Sequence, residues 1–184
     1  RSVEASLQNF LAEEILEADN AYEAEGHGKQ RARKGLRLKR LPPVLWLDLK
    51  RCQLDPVTME VTKSNAELVF PERLHLDDHV PGAGTYILHT VVVHLGDADL
   101  GQCQLHVRPT LASGWLLVTD KHVLPSSEAA ALRANFGGDD PGLWCYFAYS
   151  PQELSRMSTQ RRQRRYSACL LGYVREDMSG FTSS

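Results

Sequence analysis

The sequence has no apolar run approaching the roughly 18 residues that a membrane-spanning helix needs. Its start lacks the charged-then-apolar pattern of a secretory leader. Cysteine is scarce: Cys52, Cys103, Cys145 and Cys169 lie far apart, and none forms a CxxC pair. That spacing suggests neither a disulfide framework nor a zinc site, and it predicts reduced, mostly core thiols in a cytoplasmic or nuclear setting. Net charge is low, at -2 from 21 basic and 23 acidic residues, which argues against a general affinity for nucleic acid. A glycine-rich phosphate loop, a GxSxG nucleophile elbow and an internal repeat are all missing. No cofactor and no membrane or nucleic-acid partner is expected.

What remains is ordinary for a globular chain. The 184 residues are 42% hydrophobic and 24% charged, enough for one domain with a real core or a large piece of a bigger one. Arg1 is not an initiator methionine, which leaves room for a fragment.

The strongest pattern is Thr85 to Pro109: a long strand, a polar turn carrying Gly96, Asp97, Asp99 and Gly101, and a return strand. Tyr86, Leu88, Thr90 and Val92 fall on one face, with Ile87, His89, Val91 and Val93 on the other. Both faces are largely apolar, as in a central strand covered on two sides. A second apolar segment, Val44 to Lys50, predicts another central strand after the Pro42-Pro43 break.

Helical spacing of Leu7, Phe10, Leu11 and Ile15 predicts a helix over Ser6 to Glu17. A loop is expected over Tyr22 to Gly28, and a solvated basic stretch over Lys29 to Gly35. Leu36 to Leu41 alternates like a half-buried strand. Met59 to Thr62 pairs back across the Asp55-Pro56 turn, and Leu68 to Phe70 reads as a short strand. Trp115 to Val118 gives a strand. Ser126 or Ser127 caps a helix through Asn135, which Gly137-Gly138 ends. Leu143 to Tyr149 could be an aromatic strand. Arg161, Arg162, Arg164 and Arg165 form an exposed loop or, less simply, a nuclear import signal. Tyr166 to Val174 is a final strand, and residues 178–184 read as a flexible tail. These add up to an α+β fold with a mostly antiparallel sheet and flanking helices.

Candidate chemistry is sparse. His75 and His79 have zinc spacing, but Pro71 and Pro81 bracket them and a third ligand is missing. Cys103 lies near His94 and His106 in sequence, yet Cys103 and His106 are an odd number apart and would face opposite sides of a strand. Asp97, Asp99 and Asp120 could orient a histidine, but none occupies the obvious place. Residue chemistry alone thus gives a loop-on-hairpin site without a complete catalytic set.

Several blocks resemble the ubiquitin-specific proteases. Leu41-Pro42-Pro43-Val44-Leu45-Trp46-Leu47-Asp48-Leu49-Lys50-Arg51 is similar to that family's LPPVLxLxLxRF strand, and Val69 to Leu74 to its FPExL segment. Asp19-Asn20-Ala21-Tyr22 resembles GDNKY, Tyr86 to His94 resembles YxLxAVxxH, and Ser167 to Arg175 resembles NAYMLVYIR. The match runs over most of residues 3 to 177 through these five ordered blocks, with the herpesvirus-associated branch the most similar.

The resemblance implies a cysteine-proteinase-like domain of thumb, palm and fingers. This chain, residues 1–177, would be the palm and the end of the fingers. The thumb with its nucleophilic cysteine would lie upstream of Arg1. Ubiquitin or a ubiquitinated protein is the implied partner. The family's GGHY box falls on Leu100-Gly101-Gln102-Cys103, so Gln102 takes the histidine position. Its WxxFDD pattern falls on Trp115 to Asp120, with Thr119 and Asp120 at the acidic positions. His94 matches a residue lining the channel for the ubiquitin tail, where Gln102 and Cys103 would also lie. The alignment places Gln102 and Asp120 in one cleft with His94 along its wall. No catalytic set is then intact.

Overall fold

The computed structural model describes residues 1–98, 101–139 and 166–178. Helix α1 runs Val3–Leu11, where the Ser2 side chain accepts from the Ala5 N–H. Short strands follow: β1 (Glu14–Leu16), β2 (Tyr22–Ala24), β3 (Gly28–Gln30) and β4 (Ala32–Lys34). Next come β5 (Val44–Asp48), β6 (Cys52–Leu54), β7 (Val61–Lys63) and β8 (Arg73–His75). The long hairpin is β9 (Thr85–Gly96) with β10 (Gly101–Val107), followed by β11 (Leu116–Val118) and β12 (Val123–Pro125). Helix α2 (Glu128–Ala131), capped by Ser127, precedes the last strand, β13 (Tyr166–Arg175).

The main sheet has the order β12-β11-β10-β9-β13-β5, with β8 pairing beside β10 on the first residues of β9. Every pairing in it is antiparallel. The fold is therefore sheet-dominated α+β. Strand β9 is the spine, as its double apolar pattern predicts: Tyr86, Leu88, Val91 and Val93 are fully buried. They pack with Phe70, Leu74, Leu171 and Tyr173 in one core. Phe70 meets Phe136 edge to face at 4.8 Å. The two buried phenols each find a carbonyl, Tyr86 Oη donating to Pro42 O at 2.6 Å and Tyr173 Oη to Pro71 O at 2.7 Å.

The structure corrects several local expectations. The first helix starts and stops earlier than its apolar spacing implied, because Ser2 is the cap and Glu14–Leu16 pairs with β4. Phe10 and Ile15, expected on the buried stripe, are exposed, and Val3 is the buried anchor. The Tyr22 to Gly28 loop is a small hairpin turned by Gly26 at φ 76°. Leu36 to Leu41 forms no strand, and Leu68 to Phe70 contributes only a bridge between Ser2 and Val69. Helix α2 stops at Ala131, and a 3₁₀ turn carries the chain on to Asn135. The β5 strand is at the sheet edge rather than central, and Trp46 stays half exposed. The expectations for Leu143 to Tyr149, Cys145, the arginine cluster at 161–165 and the tail beyond 178 lie outside the described residues.

Arg51 locks the sheet to its surroundings. Lys50, at φ 37°, turns the chain out of β5 while its N–H donates to Asp48 Oδ1 at 3.1 Å. The turn drives the Arg51 side chain inward, where the residue is 7% exposed. Its guanidinium donates to Ala168 O at 3.0 Å, to Phe136 O at 3.2 Å and to Ala66 O. Burial lowers its pKa. Three carbonyls from distant segments thus share one planar donor set, a geometry that an ammonium cannot copy. Replacing Arg51 by Met is expected to cost at least about 2 kcal/mol, because buried carbonyls lose their donors. Arg51→Lys should recover only part of that. Urea unfolding of the three proteins checks it, and equal midpoints would contradict it.

Candidate functional site

The site expected from sequence is the mouth of the β9–β10 hairpin. Its register pairs Gly101 with Gly96, Gln102 with Leu95, Cys103 with His94 and Gln104 with Val93. Directly paired residues share a face, and successive residues alternate. His94 and Cys103 therefore stand on one face of the sheet, and Gln102 stands on the other with Gln104 and His106.

On the His94 face, the imidazole lies over Gly101. A Cβ at Gly101 would come within 2.1 Å of His94 Nε2 and 2.5 Å of Leu95 O, so only glycine fits. The ribbon β6–β7 reaches the same mouth. Its Lys63 ammonium donates to His94 O and Gly96 O, both at 2.9 Å. Burial lowers the Lys63 pKa, opposed by the nearby Cys52 and Cys169 thiols. Burial also lowers the His94 pKa, helped by the Lys63 charge. Cys52 pairs across the ribbon with Lys63. Cys169 donates to Val92 O at 3.5 Å, and burial followed by Cys103 pushes its thiol pKa up. Cys52, Cys103 and Cys169 are all free thiols. Lys63 was not among the residues singled out in the sequence, since nothing local to a three-residue strand announces that its side chain ends 31 residues away.

On the opposite face, Gln102 is exposed. The β10–β11 ladder pairs Leu105 with Val118 and His106 with Leu117. One step further toward the mouth, alternation sets Thr119 opposite Gln104, on the Gln102 face. Thr119 closes the next turn, accepting from His122 N at 3.2 Å and donating to His122 O at 3.3 Å. Asp120 sits inside that turn and is exposed, outside the ladder. The expected single cleft of His94, Gln102 and Asp120 is thus corrected. Side-chain alternation separates His94 from Gln102, and the residue of the acidic pair sharing the Gln102 face is Thr119.

His106 is 4% exposed and hydrogen-bonds Ser126 Oγ through Nδ1 at 3.1 Å. It lies four positions from Gln102, about 13 Å along the strand, so it cannot take over a proton-transfer role at the mouth. His75 bonds Thr85 Oγ1 at 3.0 Å. Among the described residues no cluster of three or more His, Cys, Asp or Glu could hold a metal ion. None of their helices is long and apolar enough to cross a membrane. A cleft of about 500 Å³ lies at the far end of β9, lined by Glu72, Arg73, Ile87 and Arg108 among others, and none of the mouth residues borders it.

Residues 5–168 match the family described as ubiquitin carboxyl-terminal hydrolase. The chain belongs to that family. It is 36% identical over 144 residues to ubiquitin carboxyl-terminal hydrolase 7 of Drosophila melanogaster, covering 76% of this chain and 13% of the relative. To ubiquitin C-terminal hydrolase 12 of Arabidopsis thaliana it is 37% identical over 150 residues, again 76% and 13%. With ubiquitin carboxyl-terminal hydrolase 15 of Saccharomyces cerevisiae it shares 28% identity over 198 residues, 96% of this chain and 15% of the relative. The chain thus spans about one-seventh or less of these relatives. As a ubiquitin carboxyl-terminal hydrolase family member it is a deubiquitinase-family domain, and the resemblance of its strand motifs to the ubiquitin-specific proteases stands.

Three imidazoles of this family member, His106 buried and His89 and His94 half-buried, give its stability a pH dependence. Burial lowers the pKa of His89, His94 and His106, with Arg108 adding to the effect at His89. The unfolded chain, with histidine near 6.5, therefore binds protons more readily than the native one. This stability is fully present above about pH 6.5 and is lost as pH falls through the lower native values. Urea midpoints at pH 5.5 should be lower than at pH 7.5, with a smaller drop in His106→Gln. A midpoint unchanged between the two would contradict the assignment.

Proposed function

We propose that this chain is the palm and finger end of a ubiquitin-specific protease domain of the herpesvirus-associated branch. It lacks the catalytic base and acts as a ubiquitin- or partner-binding module. The thumb belongs to an upstream segment of the same parent protein, and the setting is cytoplasmic or nuclear, where thiols stay reduced.

One observation carries the proposal: Gln102 is an exposed amide at the position where the family box has histidine. A thiol protease needs imidazole to take the thiol proton and return one to the leaving amine. Glutamine donates and accepts hydrogen bonds but does not titrate. Loss of a general base costs roughly 10²–10⁴ in rate. Thr119, which shares the Gln102 face, stands at the acidic position and cannot orient an imidazolium by charge. Meanwhile His94 keeps its motif position, beside the exposed Cys103, and this is the surface offered to the ubiquitin tail. An active hydrolase with its nucleophile upstream and a displaced base is the competing proposal. It needs an imidazole within hydrogen-bond reach of the mouth on the Gln102 face, and the burial of His106 does not favour it.

The test is turnover of a fluorogenic amide of the ubiquitin C terminus. The chain alone should give none, and turnover abolished by Cys103→Ala would point to a different active site. Joined to a family thumb carrying its cysteine box, the chain should remain inactive while Gln102 is present. Gln102→His should be tolerated within about 0.5 kcal/mol, as exposed substitutions usually are. Only Gln102→His together with Thr119→Asp should yield weak turnover, since such residues act as a unit. Turnover by the thumb-joined chain with Gln102 intact would overturn the proposal.

A further inference from the structure

Strand β5 ends the main sheet with an open edge. The Leu49 N–H donates to Cys169 O and the Arg175 N–H to Pro43 O, both at 2.9 Å. The register continues through Leu47 with Leu171 and Leu45 with Tyr173. Odd-numbered residues therefore direct their backbone groups to β13. Even-numbered Val44, Trp46 and Asp48 direct theirs away from the sheet, and among the described residues no strand takes them up. Val44 is 44% exposed and Trp46 52%. The Trp46 ring packs against Gly172, where an added Cβ would lie 2.7 Å from it. Natural edges are blunted by lysine, proline, shortness or a bulge. The opposite edge, β12, has three residues and ends in Pro125. Strand β5 has five residues, neither lysine nor proline within it, and apolar side chains on both faces.

We infer that the β5 edge pairs antiparallel with β5 of a second copy of this chain, about a two-fold axis through Trp46. The strand is self-complementary in that one register. Outward-facing Val44 meets Asp48 of the second copy, Trp46 meets Trp46, and Asp48 meets Val44, so all three outward residues exchange both backbone hydrogen bonds. Between them Leu45 meets Leu47 on the core face. The central pairs are thus aromatic with aromatic and leucine with leucine, arrangements that stabilise cross-strand pairing. Slipping the register by two residues leaves an outward residue unpaired and sets Asp48 or Val44 against Trp46. The contact is isologous and closes, joining two sheets into one without leaving a further β5 edge. Five residues per side bury less than the roughly 1,200–2,000 Å² of a stable interface, so the association is weak.

Sedimentation of the 184-residue chain from about 10 μM to about 1 mM brackets a weak dissociation constant. Backbone amide exchange is followed over the same range. The weight-average mass should rise toward a dimer. In step with it, the Val44, Trp46 and Asp48 amides, fast-exchanging when dilute, should slow at least about tenfold, the signature of newly paired edge groups. Trp46→Lys should abolish both effects in a variant that still unfolds in a single urea transition, its midpoint lowered because the packing of the ring on Gly172 is lost. If that variant does not fold, the three amides of the unaltered chain decide alone. A mass that stays monomeric throughout overturns the inference. So does a rising mass with those amides unprotected, which would move the contact to another surface. Dimerisation that survives Trp46→Lys overturns it as well.

Discussion

The fold depends on one buried guanidinium. Arg51 binds carbonyls from the segment after β7, from the turn after α2 and from β13. These three pieces are far apart in sequence, and the small ribbon β6–β7 is otherwise a two-stranded appendage, marginal by itself. With Arg51 fixed, Ser64 N donates to Arg51 O at 2.8 Å and the ribbon is held against the sheet. Only then can Lys63 reach His94 O and Gly96 O at the hairpin mouth. A structural charge therefore sets the position of a second charge at the candidate site.

That site is governed by alternation. The β9–β10 ladder assigns His94 and Cys103 to one face and Gln102 to the other. The two faces of one hairpin thus carry different groups, an imidazole beside a thiol on one and an amide on the other. Glycine is required at 101, since any side chain there would collide with the His94 ring. Gln102 is exposed and Thr119 half-buried, and both are polar and compatible with the strand ends they occupy.

Much of this was legible in the sequence because its signals are local. The double apolar face of Tyr86 to Val93 announced the central strand, and the Gly96 to Gly101 turn announced the hairpin. The final strand from Tyr166 was equally plain. The Ser2 cap is not legible because the stripe of Leu7, Phe10 and Leu11 puts the apolar signal downstream of it; Phe10 is in fact exposed. Val44 to Lys50 reads as a central strand because an apolar run says how much a strand buries, and not which neighbours pair with its edges; the structure puts it at the edge. The roles of Arg51 and Lys63 are long-range. Arg51 stands in the strand motif with no sign of the three carbonyls it binds, and Lys63 is one basic residue among many.

Labelled ubiquitin titrated with the chain reads out whether a deubiquitinase-family surface persists without its base. Amide shifts should concentrate on the C-terminal tail of ubiquitin, saturate, and weaken when His94→Ala opens the mouth, with the ubiquitin spectrum unchanged in time because nothing is cleaved. No saturable shifts at millimolar chain would contradict the account, as would shifts that leave the tail untouched and ignore His94→Ala.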